Sequence, residues 1–272
     1  MDVKELQKIC TAVRRDILTE VHAAGSGHPG GSLSMVEMLV ALYFEKMNID
    51  PENPKMETRD RFVLSKGHAA PCLYAVLAER GFFPVSELTS LRKIHSFLQG
   101  HPDAKKCPGV DASTGSLGQG ISIATGMALG LKVKKADANV YTICGDGESQ
   151  EGLVWEAAEA AAHYGLDNFT VLLDNNGLQI DGSNKEVMDV KDLTAKFAAF
   201  GFETIEVADG NDIEQILKAL NTPRVPGKPR FILCHTIKGK GVSFMENQVG
   251  WHGKAPSDED YAKAMSELEV EA

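Results

Sequence analysis

The segment Gly145-Asp146-Gly147, together with Asn175-Asn176 further along the chain, decides the fold. Residues 140–144, just before the first segment, are apolar and rich in β-formers. Residues 152–163 are alanine-rich with a helical pattern, and residues 169–173 form a second apolar run. Two strands joined by one helix make a βαβ unit, whose crossover is almost always right-handed. The pattern therefore predicts two parallel strands, each followed by a polar turn.

Asp146 and Asn176 are the polar residues that follow these two strands. Open α/β sheets bind ligands at the carboxyl edge of their strands, so we expect the two side chains to lie close together. Carboxylate and amide oxygens suit Mg²⁺ or Ca²⁺. We also expect Gly145 and Gly147 to let backbone N–H groups approach a phosphate. Either fragment alone is most simply a turn, but the pair favours a site for a metal and a phosphate.

The composition excludes several classes of function. The chain has 272 residues, 43% of them hydrophobic, and a formal net charge of −10. This charge argues against general binding of nucleic acid or of an anionic membrane. We find neither an apolar run long enough to span a membrane nor a signal-peptide pattern at the N-terminus. The scattered cysteines lack C-x-x-C spacing and fit a reducing cytoplasm: Cys10, Cys72, Cys107, Cys144 and Cys234.

Strand and helix patterns alternate along the rest of the chain. Further strands are predicted at residues 61–65, 202–207 and 230–236. Further helices are predicted at residues 2–24, 35–47, 69–80, 121–134, 190–200 and 212–220. We therefore predict an α/β fold with one doubly wound, mostly parallel sheet and helices on both faces, in a single domain over residues 1–272. Residues 25–32 are predicted to be a loop, and Ser34 with Glu37 a capping box for the next helix.

Several histidines lie beside glycines or just after predicted strands. His28 stands in a glycine-rich loop, and His68 follows the strand at 61–65. His101 belongs to a long aperiodic loop, a kind of segment that is usually functional or disordered. Lys240 and His252 follow the last strand and would share its edge with the metal site. The structural alternative for His28 is a surface loop residue, and for His68 a capping or packing residue.

Taken in order, these segments resemble the motifs of one family, the transketolases. The matching segments are SGHPGG at 26–31, SKGHA at 65–69, GHPD at 100–103, TGSLGQG at 114–120, GDGESQEG at 145–152, DNN…QIDG at 174–182 and WHG at 251–253. Each motif alone is weak, but seven in order make a chance match improbable. The resemblance spans about residues 10–255 and corresponds to the N-terminal third to half of a transketolase.

The resemblance implies a cofactor and a metal: thiamine diphosphate with Mg²⁺, or with Ca²⁺ or Mn²⁺ in its place. Asp146 and Asn176 would bind the metal by their side chains, and Leu178 by its backbone carbonyl. Gly147 and Asn176 would contact the diphosphate, with His68 beside it. The fold would be the pyrophosphate-binding domain of thiamine-diphosphate enzymes.

The resemblance also implies roles around the rings of the cofactor. Three consecutive residues would touch the cofactor there: Gly115, Ser116 and Leu117. The family often has proline where Ser116 stands, a mild departure. Three histidines would be catalytic and line the sugar channel, with His252 also touching the cofactor: His28, His101 and His252. Glu151 resembles a glutamate buried at the subunit interface that helps couple the two cofactors.

A transketolase moves a two-carbon ketol unit from a ketose phosphate to an aldose phosphate. In this family a glutamate that activates the cofactor, and most residues that grip the sugar phosphate, lie in a second, pyrimidine-binding domain. No segment of this sequence has the pattern expected of that domain. The resemblance therefore implies the N-terminal subunit of a split, cytoplasmic transketolase of the pentose phosphate pathway. A C-terminal subunit would complete a heterotetramer that also self-associates through the domain interface.

Two alternatives stay open. One is a related ketol or aldehyde transferase that uses the same cofactor in another sugar pathway. The other is a non-catalytic module that binds the cofactor or scaffolds a complex. Deoxyxylulose-phosphate synthases and dehydrogenase α subunits share GDG…NN, but SGHPGG together with WHG favours transketolase.

Overall fold

Five apolar segments pair as a parallel β-sheet in a computed structural model that describes residues 1–269. The strands are β1 (Arg61–Leu64), β2 (Val140–Gly145), β3 (Phe169–Asn175), β4 (Glu203–Val207) and β5 (Arg230–His235). Their order across the sheet is β1-β2-β3-β5-β4, and each strand runs parallel to its neighbours. The predicted strands are confirmed, and β3 lies at the centre.

Helices connect the strands and precede the sheet. Within residues 1–269 they are α1 (Val3–Ala24), α2 (Pro29–Leu33), α3 (Val36–Ala41), α4 (Ala70–Glu79), α5 (Gln119–Val133), α6 (Gly152–His163), α7 (Asn184–Val187), α8 (Leu193–Phe200), α9 (Ile213–Asn221) and α10 (Asp258–Glu267). Helix α3 continues as a wider π-type turn to Lys46, which completes the helix predicted at residues 35–47. Helix α1 begins with a capping box between Asp2 and Glu5 and ends at Gly25, which has a left-handed backbone.

Apolar side chains of the central strand alternate between two hydrophobic cores. Leu172 belongs to the core formed with α1, α3, α4 and α9, whereas Val171 and Leu173 belong to the core formed with α5, α6 and α8. Both faces of a parallel sheet must be covered by helices, and this strand is apolar on both faces for that reason. The doubly wound α/β architecture is therefore confirmed.

The loop predicted at residues 25–32 is wrong at its C-terminal end, where α2 forms. Pro29 occupies the first turn of this helix, where its fixed φ and missing N–H cost nothing. The whole helix is buried, and a Cβ added to Gly30 would lie 2.8 Å from the carbonyl oxygen of Trp251. Tertiary packing thus overrides the poor helix propensity of the glycines.

The capping box predicted for Ser34 and Glu37 is also wrong, because both side chains are used elsewhere. The Ser34 hydroxyl donates to the Gly31 carbonyl and, at 2.5 Å, to Oδ2 of Asp174. Glu37 accepts two hydrogen bonds from Arg14, at 2.7 and 2.9 Å. Helix α3 begins instead after Met35, without a side-chain cap.

The aperiodic loop predicted at residues 95–120 is confirmed up to residue 118, and residues 91–118 contain neither helix nor strand. Tyr74 of α4 anchors this long loop, because its hydroxyl donates to the carbonyls of Gln99 (2.8 Å) and His101 (3.1 Å). No helix within residues 1–269 is both long and apolar enough to cross a membrane.

Helix α1 buries one carboxyl group that has no partner. Glu20 is 0% exposed, and neither of its side-chain oxygens makes a hydrogen bond. Burial, and to a smaller degree the carboxyl of Asp16, raises the pKa of Glu20 well above its ordinary value. The folded protein therefore keeps a proton that the unfolded chain releases above about pH 4.5. It follows that folding stability falls as the pH rises beyond that point.

We expect Glu20→Gln to stabilise the chain at high pH, because the amide needs no proton to stay neutral. The gain should be about 1–3 kcal/mol at pH 8 and should shrink toward pH 5. Urea unfolding at several pH values measures it. The exposed Glu159→Gln on α6 is the matched control and should change stability by less than about 0.5 kcal/mol. Equal pH profiles for Glu20→Gln and the parent chain would contradict the assignment.

Candidate active site

A cavity of about 410 Å³ opens at the carboxyl edge of the sheet. It lies past the ends of β1, β2, β3 and β5, the place where parallel α/β sheets bind ligands. Most residues predicted for the site line it: His28, His68, Gly115, Leu117, Asp146, Gly147, Glu151, Asn176, Leu178 and His252. The topology therefore brings segments that are far apart in the sequence to one place.

Asp146 is a nearly buried carboxylate at the base of the cavity, with 3% of its surface exposed. Its Oδ1 accepts from the Gly147 N–H at 2.7 Å and its Oδ2 from the Gly177 N–H at 2.6 Å. Burial, followed by the charge of Asp174, raises the pKa of Asp146 to about 6, so it is mostly ionised at pH 7. Each oxygen keeps a lone pair that a cation can use.

Asn176 and Leu178 present two neutral oxygens beside Asp146. The Asn176 amide nitrogen donates to Asp174 Oδ2 at 3.1 Å, and its Oδ1 accepts from the Leu178 N–H at 3.2 Å. These two hydrogen bonds define the orientation of the Asn176 amide. Residues that hydrogen-bond to a metal ligand commonly orient the ligand in this way. One carboxylate, one amide and one carbonyl form a hard-oxygen set that fits Mg²⁺, Ca²⁺ or Mn²⁺.

This oxygen set contains only one acidic side chain. In the part of the chain that the structure describes, no cluster of three or more His, Cys, Asp or Glu side chains could hold a metal. A cation at this edge would therefore depend on neutral protein oxygens and on its own anionic ligand, such as a diphosphate.

Asp174, at the end of β3, is the buried charge that ties the loops of the site together. Its carboxylate accepts from Lys66, Ser34, Thr236 and Asn176. Burial alone would raise the pKa of Asp174, but the Lys66 ammonium and these hydrogen bonds hold it below its ordinary value. Asp174 and Lys66 are 0% and 2% exposed, so they form a fully buried ion pair.

The backbone N–H groups of Gly145 and Gly147 have hydrogen-bond partners inside the protein. The Gly145 N–H donates to Glu148 Oε2 at 3.0 Å, and the Gly147 N–H donates to Asp146. Glu148 is buried and also accepts from the Ser65 hydroxyl and the Gly118 N–H through Oε1. Nearby carboxylates therefore satisfy both N–H groups, and contact of either glycine with a phosphate stays a prediction.

Three imidazoles form a compact triangle over the cavity. The ring centroids of His28 and His68 are 5.2 Å apart, those of His28 and His252 5.5 Å, and those of His68 and His252 5.3 Å. Burial first, and nearby cations second, lower the pKa of His68 to about 2 and that of His252 to about 4. The pKa of His28 is lowered as well, mainly by burial. All three rings are neutral at pH 7.

Lys238 sets the tautomer of His252. Its ammonium lies 2.9 Å from His252 Nδ1 and donates to the Leu178 carbonyl at 3.1 Å. Burial, together with Lys66, lowers the pKa of Lys238 to about 8, so it is mostly protonated at pH 7. Because Nδ1 accepts from a cation, the neutral ring of His252 carries its proton on Nε2.

Lys240, which the sequence places at this edge, is not among the residues that line the cavity. Its ammonium lies 3.6 Å from Glu246 Oε1, and its carbonyl accepts from Arg14. Lys238 lines the cavity instead. The glycines on both sides of Lys240 turn the chain here, with φ of +78° at Gly239 and +94° at Gly241.

Two predicted site residues, His101 and Ser116, are not among the lining residues. His101 is exposed beside the cavity wall, with its ring 3.1 Å from the position of a Cβ added to Gly115. Ser116 is exposed, and its carbonyl accepts from Gln119. Glu151 lines the cavity but is exposed in this single chain, so its predicted burial at a subunit interface stays a prediction.

Sequence reasoning missed several residues of the site. Lys66 and Lys238 line the cavity with Glu148 and Gln179. The rule that found His68 and Asp146 would also have found both lysines, because each lysine follows the carboxyl end of a strand. No sequence pattern pointed to Glu148, because its role depends on hydrogen bonds that form only in the folded chain.

The chain matches the family described as transketolase, thiamine diphosphate binding domain, over residues 6–272. The chain belongs to the transketolase family. This confirms the resemblance found in the sequence and, with it, the expected cofactor. The chain is the thiamine-diphosphate-binding chain of a transketolase-type transferase.

Relatives of similar length are named as subunits. The chain is 44% identical to the 6-deoxy-6-sulfo-D-fructose transketolase subunit SqwG of Clostridium sp. (strain MSTE9), covering 98% of this chain and 97% of the relative. It is 39% identical to an apulose-4-phosphate transketolase subunit from Phocaeicola vulgatus, covering 98% and 95%. Such names agree with a transketolase divided between two chains.

Full-length transketolases share the fold. The crystal structure of transketolase from Campylobacter jejuni superposes with a TM-score of 0.92 at 33% identity, covering 98% of this chain and 43% of that one. Human transketolase is 42% identical over 93% of this chain and 41% of its own length. The chain thus spans about two fifths of these longer transketolases.

The cavity has features that fit the cofactor of the transketolase family. His28 Nδ1 and Gln179 Nε2 are buried without a hydrogen-bond partner, although both residues line the cavity. Buried polar atoms of this kind are rare and call for a ligand or water. Together with the hard-oxygen set and the two ammonium groups, they fit a diphosphate bound through a divalent metal.

We expect Asp174→Asn to destabilise the chain by about 3–5 kcal/mol, because the Lys66 ammonium would stay buried without its counter-charge. Urea unfolding of the variant and the parent chain at pH 7 measures the loss. Asp189→Asn is the matched control: Asp189 pairs with the exposed Lys191, and its loss should change stability by less than about 1 kcal/mol. Similar small effects from both variants would show that the Asp174 ion pair does not hold the fold.

Proposed function

We propose that this chain is the N-terminal subunit of a thiamine-diphosphate- and Mg²⁺-dependent transketolase, active with a C-terminal, pyrimidine-domain subunit. The enzyme would move a two-carbon ketol unit from a ketose phosphate to an aldose phosphate. The observation that carries the proposal is one cavity that joins a hard-oxygen metal set with a triangle of histidines. A scaffold that only bound the cofactor would not need those histidines.

Thiamine diphosphate, when bound, supplies the carbanion and the electron sink of ketol transfer. The protein has to hold protons at the reacting oxygens of the sugar. His252 is suited to donate, because its Nε2–H is the tautomer that Lys238 imposes. His28 is suited to exchange a proton, because its Nδ1 is buried and unpartnered. Neutral histidines can both give and accept a proton, which a reversible transfer requires.

The roles of the other predicted site residues are part of this proposal. Asp146, Asn176 and the Leu178 carbonyl would hold Mg²⁺, with Ca²⁺ or Mn²⁺ as substitutes. Gly147 and His68 would lie beside the diphosphate. The rings of the cofactor would touch Gly115, Ser116 and Leu117, and His101 would reach the sugar from the rim of the cavity.

We propose that two copies of each subunit form a heterotetramer. The exposed side of α5 is suited to self-association, since a Cβ added to Gly126 or Gly130 would meet nothing within 4 Å. Close backbone approach of a second chain is possible there. A reducing, cytoplasmic location fits five cysteines that are all free and buried.

A second candidate is ketol transfer in a sugar pathway other than the pentose phosphate pathway. Two relatives of matching length are named for 6-deoxy-6-sulfo-D-fructose and apulose 4-phosphate, and this favours such an enzyme. The chemistry at the cavity would be the same, and only the sugar would differ. A panel of phosphorylated and sulfonated ketoses, given to the assembled enzyme, separates the two candidates by their relative kcat/KM.

We expect the purified chain alone to be inactive and the mixture with its C-terminal subunit to be active. The reason is that the glutamate that activates the cofactor belongs to the other subunit. A coupled ketol-transfer assay with thiamine diphosphate and Mg²⁺ measures this, and each chain alone is the control. Robust turnover by this chain alone would contradict the two-chain proposal.

In the assembled enzyme we expect Asp146→Ala to weaken metal-dependent binding of thiamine diphosphate by about 100-fold or more, because the charged metal ligand is lost. Isothermal titration calorimetry with Mg²⁺ present measures the change. Asp137→Ala, at an exposed site after α5, is the matched control and should bind like the parent. Unchanged affinity in Asp146→Ala would remove Asp146 from the metal site.

A further inference from the structure

One hydrogen bond in the cavity affects how a metal would bind there. The Leu178 carbonyl, a proposed metal ligand, already accepts a hydrogen bond from the Lys238 ammonium at 3.1 Å. We propose that Lys238 competes with the divalent metal for this carbonyl, so that the site disfavours a metal arriving without its anionic ligand. The inference rests on the proposed function only in placing the metal at Asp146, Asn176 and Leu178.

The Lys238 side chain is packed along its whole length. The side chain passes over Gly30, where an added Cβ would lie 3.2 Å from Cγ and 3.3 Å from Cε of the lysine. Its Nζ ends between the Leu178 carbonyl and His252 Nδ1, and the residue is 2% exposed. These contacts hold the Lys238 ammonium beside the Leu178 carbonyl.

The charge of Lys238 is not cancelled by direct contact. Both of its hydrogen-bond partners, Leu178 and His252, are neutral acceptors. The carboxylates of Asp146 and Asp174 act on it only through space, and the Lys66 ammonium opposes them. The free positive charge is therefore available to repel a second cation at the same carbonyl.

A divalent metal held by the Leu178 oxygen would share that oxygen with the Lys238 ammonium, in a cavity where charges are poorly screened. The carbonyl has a second lone pair, so geometry permits both contacts, but the two cations repel. A diphosphate bound in the cavity would supply the negative charge that attracts both cations. Metal and diphosphate should therefore assist each other's binding, which is a coupling between two ligands.

The test uses the isolated full chain and Mn²⁺ alone, without cofactor. Electron paramagnetic resonance of free Mn²⁺ gives the dissociation constant at pH 7. We expect Lys238→Met, which keeps the side-chain bulk and removes the charge, to bind Mn²⁺ about tenfold more tightly than the parent. Lys240→Met is the matched control: its ammonium lies beside Glu246 on the same loop, and its affinity should be that of the parent.

Adding Asp146→Asn to Lys238→Met tests whether the gain arises at this site, and we expect the gain to disappear. Lys238→Gln is the second neutral variant, with thermal melting as the check on folding of each protein. Equal Mn²⁺ affinity in parent and neutral variants, undetectable binding in all of them, or a gain that survives Asp146→Asn would overturn the proposal. Cofactor binding by the assembled enzyme, measured separately, decides the proposed function whatever the outcome here.

Discussion

The structure of the site depends on one buried ion pair, between Asp174 at the end of β3 and Lys66 after β1. Removing two charges from water costs several kcal/mol for each ion, a cost offset only when the remaining hydrogen-bonding capacity is also used. Asp174 meets that condition through Ser34, Thr236 and Asn176, and Lys66 also donates to a backbone carbonyl, that of Gly31. These partners come from separate loops. Their hydrogen bonds to one carboxylate therefore hold the loops next to one another.

The same charges determine the chemistry available in the cavity. Asp174 raises the pKa of Asp146, whereas Lys66 and Lys238 add to burial in lowering the pKa values of His68 and His252. The cluster thus contains one carboxylate–ammonium pair, Asp174 with Lys66, and leaves the histidines neutral. Proton transfer through a neutral imidazole can run in either direction, which suits a transferase that handles two sugars in one cycle.

The sequence predicted what depends on the path of the backbone. Apolar runs followed by turns located all five strands, and the parallel βαβ rule brought Asp146, Asn176 and His68 to one edge. Prediction from the sequence failed where long-range contacts compete with local preference. Helix α2 forms among glycines because the chain around Trp251 packs over it, and Ser34 leaves its expected cap to reach a carboxylate on β3. No window of local sequence contains these partners.

The choice between Lys238 and Lys240 shows the same limit at the scale of one turn. Both lysines lie in the same short loop after β5, and periodicity cannot decide which one faces the cavity. The Arg14 guanidinium of α1 donates to the Lys240 carbonyl, Asn211 accepts from the Ile237 N–H, and the Gly239 N–H donates to the Gly30 carbonyl. Contacts of this kind hold the loop in the orientation in which the Lys238 side chain runs into the cavity. A residue of the first helix thus takes part in placing the Lys238 ammonium beside the proposed metal ligand and His252.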